Sequence, residues 1–413
     1  MIDLTQFQMV NRYERIQSVT DAEADRRIAI VREVMKEHDL QLTLFFNLLD
    51  SGMAWWLISC SSKIPDCVMV PMEGPVTAIY YSMTPSPTGG FQSRITPGRT
   101  PVINDLNGKV TLRNCFDTEL ASRCCQGTKR IGLVHGEYMD LHTRNALRSV
   151  ISEYDTVELF QEIERRKCIK SPLEMELCNA SAQMHTAVLQ AVPGILRRGR
   201  TVREVASELH CLAMDLGSTG EDMCLMIHPM DANGETIPTT DDYPGYHFKD
   251  GDLVSILLET SGPGGMFTAN ARYWSFGEPS SEFMKRWEVA VAANDMVGAL
   301  LKPGISLKQV AEQVNQFILD QGYYTDDCCY LHGMAYTMGE APIKADHTAG
   351  ELTNWSEDMP MQVHMQTLAH PHVGFANHEF TPRDSMVRCI DTYYITPQGS
   401  KRATTASRDI YIL

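Results

Sequence analysis

The sequence predicts an α+β protein in two parts, a smaller α/β region followed by a larger region built from two related halves. Three observations carry this prediction. Strand-like runs alternate with helical segments over about the first 160 residues, the pattern of an α/β domain. The character then changes at Ser171-Pro172, a helix start with a capping Ser and a Pro in the first turn. Finally, residues 199–209 (GRTVREVASEL) resemble residues 304–314 (GISLKQVAEQV), each with Gly, a Ser/Thr cap and a helix carrying Val-Ala at the same offset. Two related halves place a cleft between them, a favoured position for a site, although two amphipathic helices also resemble each other by chance.

Taken in order, residues 21–38 (DAEADRRIAIVREVMKEH) have apolar positions at helical spacing after an Asp-rich start and read as a surface helix. The runs at 42–50, 53–59 and 67–82 are short, β-branched and aromatic, and read as strands. Residues 84–101, rich in Pro, Gly, Ser and Thr, read as a long loop of the kind that is functional or disordered. RIGLVHG (130–136) reads as a strand and 141–153 as a helix. GPGG (262–265) reads as a tight turn, since no helix start with a Lys follows to make a phosphate cradle.

Composition excludes several classes of function. The chain has 413 residues, 43% hydrophobic and 21% charged, ordinary for a globular protein of two or three domains. A formal charge of -16 argues against a nucleic-acid partner, which requires a clustered basic surface. No run approaches the roughly 18 apolar residues that span a bilayer, so no membrane role is expected. The N-terminal residues lack a basic flank and apolar core, so a cytoplasmic location with reduced thiols is expected for the 12 cysteines. No CxxC pair suggests zinc.

Five segments in register resemble the creatinase/Xaa-Pro aminopeptidase/prolidase family. They are CIKSPLEMELCNASAQMHTAV (168–188), GDLVSILLETSGPGGMFTANARYWSFGEPS (251–280), LKPGISLKQVAEQV (301–314), HGMAYTMG (332–339) and VRCIDTYYITPQG (387–399). The resemblance implies a pita-bread domain over 166–413 preceded by an α/β creatinase-type N-terminal domain over 1–165. It also implies a homodimer in which N-terminal domains reach the neighbouring site.

Peptidases of that family hold two divalent metals with Asp, Asp, His, Glu and Glu. Carried over one by one, these positions fall on Leu257, Ala269, Tyr336, a residue near Gln366, and Ile390. Leu, Ala and Ile have no lone pair for a hard cation, and neutral Gln is a weak substitute for carboxylate. The expectation is a site with no metal and no cofactor. Metal-free relatives that hydrolyse C–N bonds do not transfer directly either, because creatinase's catalytic His falls on Thr240 and the Glu before its hairpin Arg falls on Ala271.

The catalytic candidates are therefore Glu259, His332, Tyr336 and His364. Glu259 lies two residues beyond Leu257, on the same strand face, in an apolar run that raises a carboxyl pKa; the alternative is a solvent-facing strand end. His332 matches the family histidine beside the active site, and Tyr336 stands at the metal-His position, suited to an oxyanion or to packing. His364 shares a strand face with Gln366 if MQVHMQTL is extended, and an imidazole there can act as base. Thr240, Asn270, Gln366, His370, Lys344 and Arg94 are the candidates for binding substrate, Arg94 and Lys344 as cations for a carboxylate or as solvated surface. AHPH (369–372) has no third ligand at a metal-binding spacing. The leading expectation is a metal-independent hydrolase of a C–N bond in a small polar, carboxylated amide, amidine or cyclic compound. A lyase acting by proton abstraction in the same cavity and a non-catalytic ligand- or peptide-binding protein stand beside it.

Overall fold

The computed structural model describes residues 21–46, 52–58, 67–74, 76–80, 102–104, 130–138, 155–219, 224–237, 245–326, 330–337, 339–343, 359–377 and 379–413. The expectations for Arg94, Thr240, Lys344, the 84–101 loop and the 141–153 helix lie outside these residues. The chain divides into two compact units with the boundary at Lys167/Cys168. Among the described residues no helix is long and apolar enough to cross a membrane.

The N-terminal unit is a mixed six-stranded sheet. Its strands are β1 (Leu42–Phe45), β2 (Cys67–Pro71), β3 (Thr77–Tyr80), β4 (Val102–Asn104), β5 (Arg130–Val134) and β6 (Asp155–Glu158), in the order β4-β3-β2-β1-β5-β6. Helix α1 (Asp21–Glu37) buries Val31, Val34 and Met35, as its spacing predicts. MAWWLIS, expected as a strand, forms helix α2 (Met53–Ile58) instead. A short apolar run carries no periodicity that separates the two. Tertiary contacts decide it, with Trp56 fully buried and its carbonyl accepting from Arg27 Nη1 at 2.9 Å. Helix α3 (Phe160–Lys167) closes the unit.

In the C-terminal unit the internal repeat is structural. Long helix α4 (Pro172–Ile195) is followed by Gly199 at φ 81° and by α5 (Val202–Asp215). Long helix α6 (Ser281–Leu300) is followed by Gly304 at φ 90° and by α7 (Leu307–Asp320). Capping boxes open α4, α5 and α7, through Ser171/Glu174, Thr201/Glu204 and Ser306/Gln309. Each satisfies two otherwise orphaned backbone N–H groups.

One half adds β7 (Cys224–Met230), β8 (Leu253–Ser261) and β9 (Phe267–Ser275), antiparallel to one another. The other adds β10 (Tyr330–Gly333), β11 (Glu340–Ile343), β12 (Gln366–His370), the short pair β13 (His372–Val373) and β14 (Val387–Arg388), then β15 (Asp391–Thr396) and β16 (Gly399–Arg402). The terminal β17 (Tyr411–Ile412) joins β9 in parallel.

Alternate residues of β7, β8 and β9 serve two cores. Leu225, Ile227, Val254, Ile256 and Leu258 pack under α4 and α5. Met226, Leu257, Ala269 and Ala271 turn the other way, to Leu368 of β12 and to Ile390 just before β15. That seam between the halves contains the positions singled out above. The GPGG segment is a tight 3-10 turn, with Gly262 so close to α4 that a Cβ would lie 2.4 Å from Ser181 Oγ.

Candidate active site

The seam is built on strand alternation. In the β7–β9 sheet Glu259 pairs with Ala269, Leu257 with Met226 and Ala271, and Ser255 with His228 and Tyr273. These side chains share one face. From the second sheet, His332 pairs with Leu368 and Tyr330 with His370, so His332, Leu368 and His370 face the seam. Leu257, Phe267, Ala269, Ala271, Met334, Leu368 and Ile390 form one buried apolar cluster at its floor.

Ionisable groups gather above this floor. Glu259 is partly buried and has no hydrogen-bond partner among the described residues. Burial pushes its carboxyl up to about 7, against the opposing pull of Arg388. Arg388 is 8% exposed, and among the described residues no group accepts from its guanidinium. Its place is fixed through its backbone N–H, which donates to Tyr273 Oη at 3.0 Å. The same positive charge acts on His228, His370 and His372.

Burial holds all three imidazoles below their ordinary range, and His332 likewise, so they are neutral at neutral pH. His332 Nδ1 lies 2.9 Å from the Gly333 carbonyl. His370 Nδ1 lies 2.8 Å from His372 Nε2, and His372 Nδ1 lies 3.0 Å from Asp326 Oδ2.

Several expected site residues have other roles. Tyr336 is not aimed at a reacting oxygen; its hydroxyl donates to Glu174 Oε1 at 2.8 Å and its backbone N–H to Glu340 Oε1 at 2.7 Å. Lys170 completes this buried cluster, with Nζ 2.8 Å from Glu340 Oε2. His364 does not sit on a strand face with Gln366. It occupies an exposed turn at φ 71°, which breaks the extension of MQVHMQTL.

Asn270 is fully buried, and its amide donates to Asp391 Oδ1 at 2.9 Å and Thr404 Oγ1 at 3.0 Å. Gln366 faces the seam, but its amide N–H groups tie strands together through the carbonyls of Phe267 and Met334. Of the expected residues, the seam brings together Glu259, His332 and His370.

The sequence reading missed Arg388, His228 and the link from Asp326 to His372. Arg388 and His372 both stand in quoted motifs, so the signal was present. Asp326 lies 46 residues before His372, a separation no local pattern reveals.

The sequence profile of metallopeptidase family M24 matches residues 176–397. The chain belongs to that family. An uncharacterized peptidase, YqhT, from Bacillus subtilis (strain 168) is 21% identical over 294 residues, 70% of this chain and 76% of the relative. The structure resembles the X-Pro aminopeptidase from Thermotoga maritima MSB8, with a TM-score of 0.74 and 15% identity over 96% of this chain and all of that one. It also resembles the Xaa-Pro dipeptidase from Bacillus anthracis (TM-score 0.73, 16% identity, 94% and 100% covered). The prolidase from Pyrococcus horikoshii OT3 is similar in the same way (0.71, 17%, 93% and 99%). These likenesses establish the M24 pita-bread fold with its N-terminal domain.

The M24 name implies metal, and the donor set here does not fit it. Leu257, Ala269 and Ile390 are carbon side chains inside one apolar cluster. The Tyr336 hydroxyl is bonded to Glu174, away from them in the hydrogen-bond network. On β12, Gln366 lies opposite Tyr394, and the residue one register step beyond the Ala369–Asp391 pair, beside Ile390, is His370. The fourth position is thus better placed at His370 than near Gln366, and a single imidazole does not offset the roughly four positive charges of two divalent ions. Among the described residues no group of three His, Cys, Asp or Glu is placed to hold a metal ion.

Proposed function

We propose that this M24 chain is a metal-independent hydrolase of a C–N bond in a small carboxylated amide, amidine or cyclic compound. The observation that carries the reading is Glu259, a carboxyl pushed up to about 7 and sharing the seam with the buried Arg388 guanidinium, which no described group pairs. A buried cation of this kind binds a substrate carboxylate through a two-pronged, charge-assisted contact. Neutral His370 takes a proton from water as the water oxygen attacks the carbonyl or amidine carbon. Glu259, protonated in a substantial fraction of molecules near pH 7, gives its proton to the departing nitrogen as the C–N bond breaks. The apolar floor excludes competing water and strengthens both interactions.

The test is turnover, followed by NMR, of a pool of small amides, lactams, guanidino acids, cyclic amidines and proline dipeptides. Proline dipeptides belong in the pool because the similar structures include a prolidase and an Xaa-Pro dipeptidase. Loss of one carboxylated compound, insensitive to EDTA and abolished in Glu259→Gln, supports the proposal. EDTA-sensitive turnover overturns it, and a product without solvent oxygen-18 replaces hydrolysis by elimination. Binding without turnover replaces the enzyme with a ligand-binding protein. Homodimerisation and a cytoplasmic location are part of the same proposal, the first read directly from the mass in solution.

A further inference from the structure

The geometry points to Asp326 and His372 as positioning residues that fix His370 in the tautomer of a base, forming a carboxylate–imidazole–imidazole relay. The inference deepens the reading above and rests on it for the reaction, but not for the geometry.

A carboxylate only accepts, so the ring nitrogen 3.0 Å from Asp326 Oδ2, Nδ1 of His372, carries the proton. In a neutral imidazole the second nitrogen then has the lone pair. His372 Nε2 is therefore the acceptor, and His370 Nδ1, 2.8 Å away, is the donor. That leaves the lone pair of His370 on Nε2, across the ring from His372.

The arrangement is rigid. His370 ends β12, His372 opens β13, and Pro371 between them limits the backbone. His372 is fully buried and its register partner is Arg388. The two rings meet edge to face, 4.7 Å between centroids at 67°.

The relay also moves charge out of the seam. When Nε2 of His370 takes a proton from water, its Nδ1 proton passes to Nε2 of His372. His370 is then neutral again, protonated on Nε2, and His372 is an imidazolium paired with Asp326. Asp326 is 22% exposed, so the charge comes to rest beside solvent. The other charged or titratable groups acting on His370 are His332 from β10, Arg388 from β14 and Arg383 from the turn before it. Arg388 and Arg383 act on His372 as well, and there the Asp326 carboxylate opposes them, which it does not do directly at His370.

The experiment is long-range proton–nitrogen NMR of the full chain labelled with nitrogen-15 histidine, with His370→Gln used to assign the signal. At pH 7.5 His370 Nε2 is expected at the shift of an unprotonated ring nitrogen. In Asp326→Ala the His372 tautomer reverses, and His370 Nε2 becomes protonated; Asp326→Glu restores the wild-type pattern. A protonated Nε2 in the wild type, or no change in Asp326→Ala, overturns the relay.

A panel compound that is turned over supplies a second readout. Asp326→Ala is expected to lower kcat about 10²–10⁴-fold with KM within about twofold, and Asp326→Glu to recover most of the loss. An unchanged kcat overturns the role. If nothing in the panel is turned over, the hydrolase reading fails while the NMR result alone decides the relay.

Discussion

The Tyr336 hydroxyl donates to Glu174 Oε1 at 2.8 Å, joining the position of a lost metal ligand to the capping box of a helix that starts 164 residues earlier, at Pro172. Glu174 Oε2 accepts from the Ser171 N–H at 2.8 Å, so one carboxylate serves both the helix start and the tyrosine. The tyrosine at this position is part of the scaffold.

Tyr336→Phe should therefore act on stability. It removes one hydrogen bond to a buried carboxylate, which costs about 1–3 kcal/mol. Urea unfolding measures this, and an unchanged midpoint would contradict the bond's importance. Turnover of any identified substrate should survive in the folded fraction.

Lys170 and Glu340 form a fully buried pair at 2.8 Å. Glu340 and Glu174 hold the Lys170 ammonium charged well above its ordinary range, although burial opposes this. Lys170→Met alone should cost about 3–5 kcal/mol by leaving buried carboxylates uncompensated, and the double change with Glu340→Leu should recover much of it. A double-mutant cycle in which the two losses simply add would sink this account.

The raised Glu259 carboxyl makes stability depend on pH with a definite sign. Its pKa is about 7 in the folded chain and 4.5 when exposed. The unfolded state ionises first as pH rises, so this contribution is complete below about pH 4.5 and is lost progressively up to about pH 7. The span is on the order of 3 kcal/mol. Unfolding free energies of the wild type and Glu259→Gln, aligned at pH 4.5, should separate through pH 6 to pH 8, with only the wild type losing this increment.

Restoring one carboxylate should not restore a metal centre. Leu257→Asp places an unpaired acid in the apolar cluster of Ala269, Ala271, Leu368 and Ile390, at a cost of several kcal/mol. Thermal melting with and without manganese or zinc reads the outcome, and a metal-dependent rise in Tm would show that the remaining donors are better placed than described. The wild-type Tm should be indifferent to EDTA.

The sequence made the fold legible where local chemistry dominates. Ser171, Thr201 and Ser306, each followed three residues later by Glu or Gln, announce the three helices that open with capping boxes. The repeat and the hairpin could be read by offset alone. Through the family resemblance, counting from Gly251, Arg272 and His332 put Leu257, Ala269 and Tyr336 at the family's ligand positions. Local pattern failed at MAWWLI, whose helix is decided by burial of Trp56, and at His364, whose positive φ is unusual for a residue with a side chain. It could not reveal that Tyr336 turns to Glu174 or that Asp326 reaches His372, because those partners meet only in the folded chain.

The apolar seam carries one further consequence, for temperature. In a two-metal centre the halves of the fold are joined by coordination bonds. Here Leu257, Ala269 and Ile390 join them through burial of hydrocarbon. Attraction of that kind weakens on cooling, because the large heat-capacity change makes the burial of hydrocarbon increasingly unfavourable in enthalpy toward 0 °C. The join between the halves should therefore be weakest in the cold, with amides of Leu257 and Ile390 exchanging relatively faster in chilled solution than those on the capped helices.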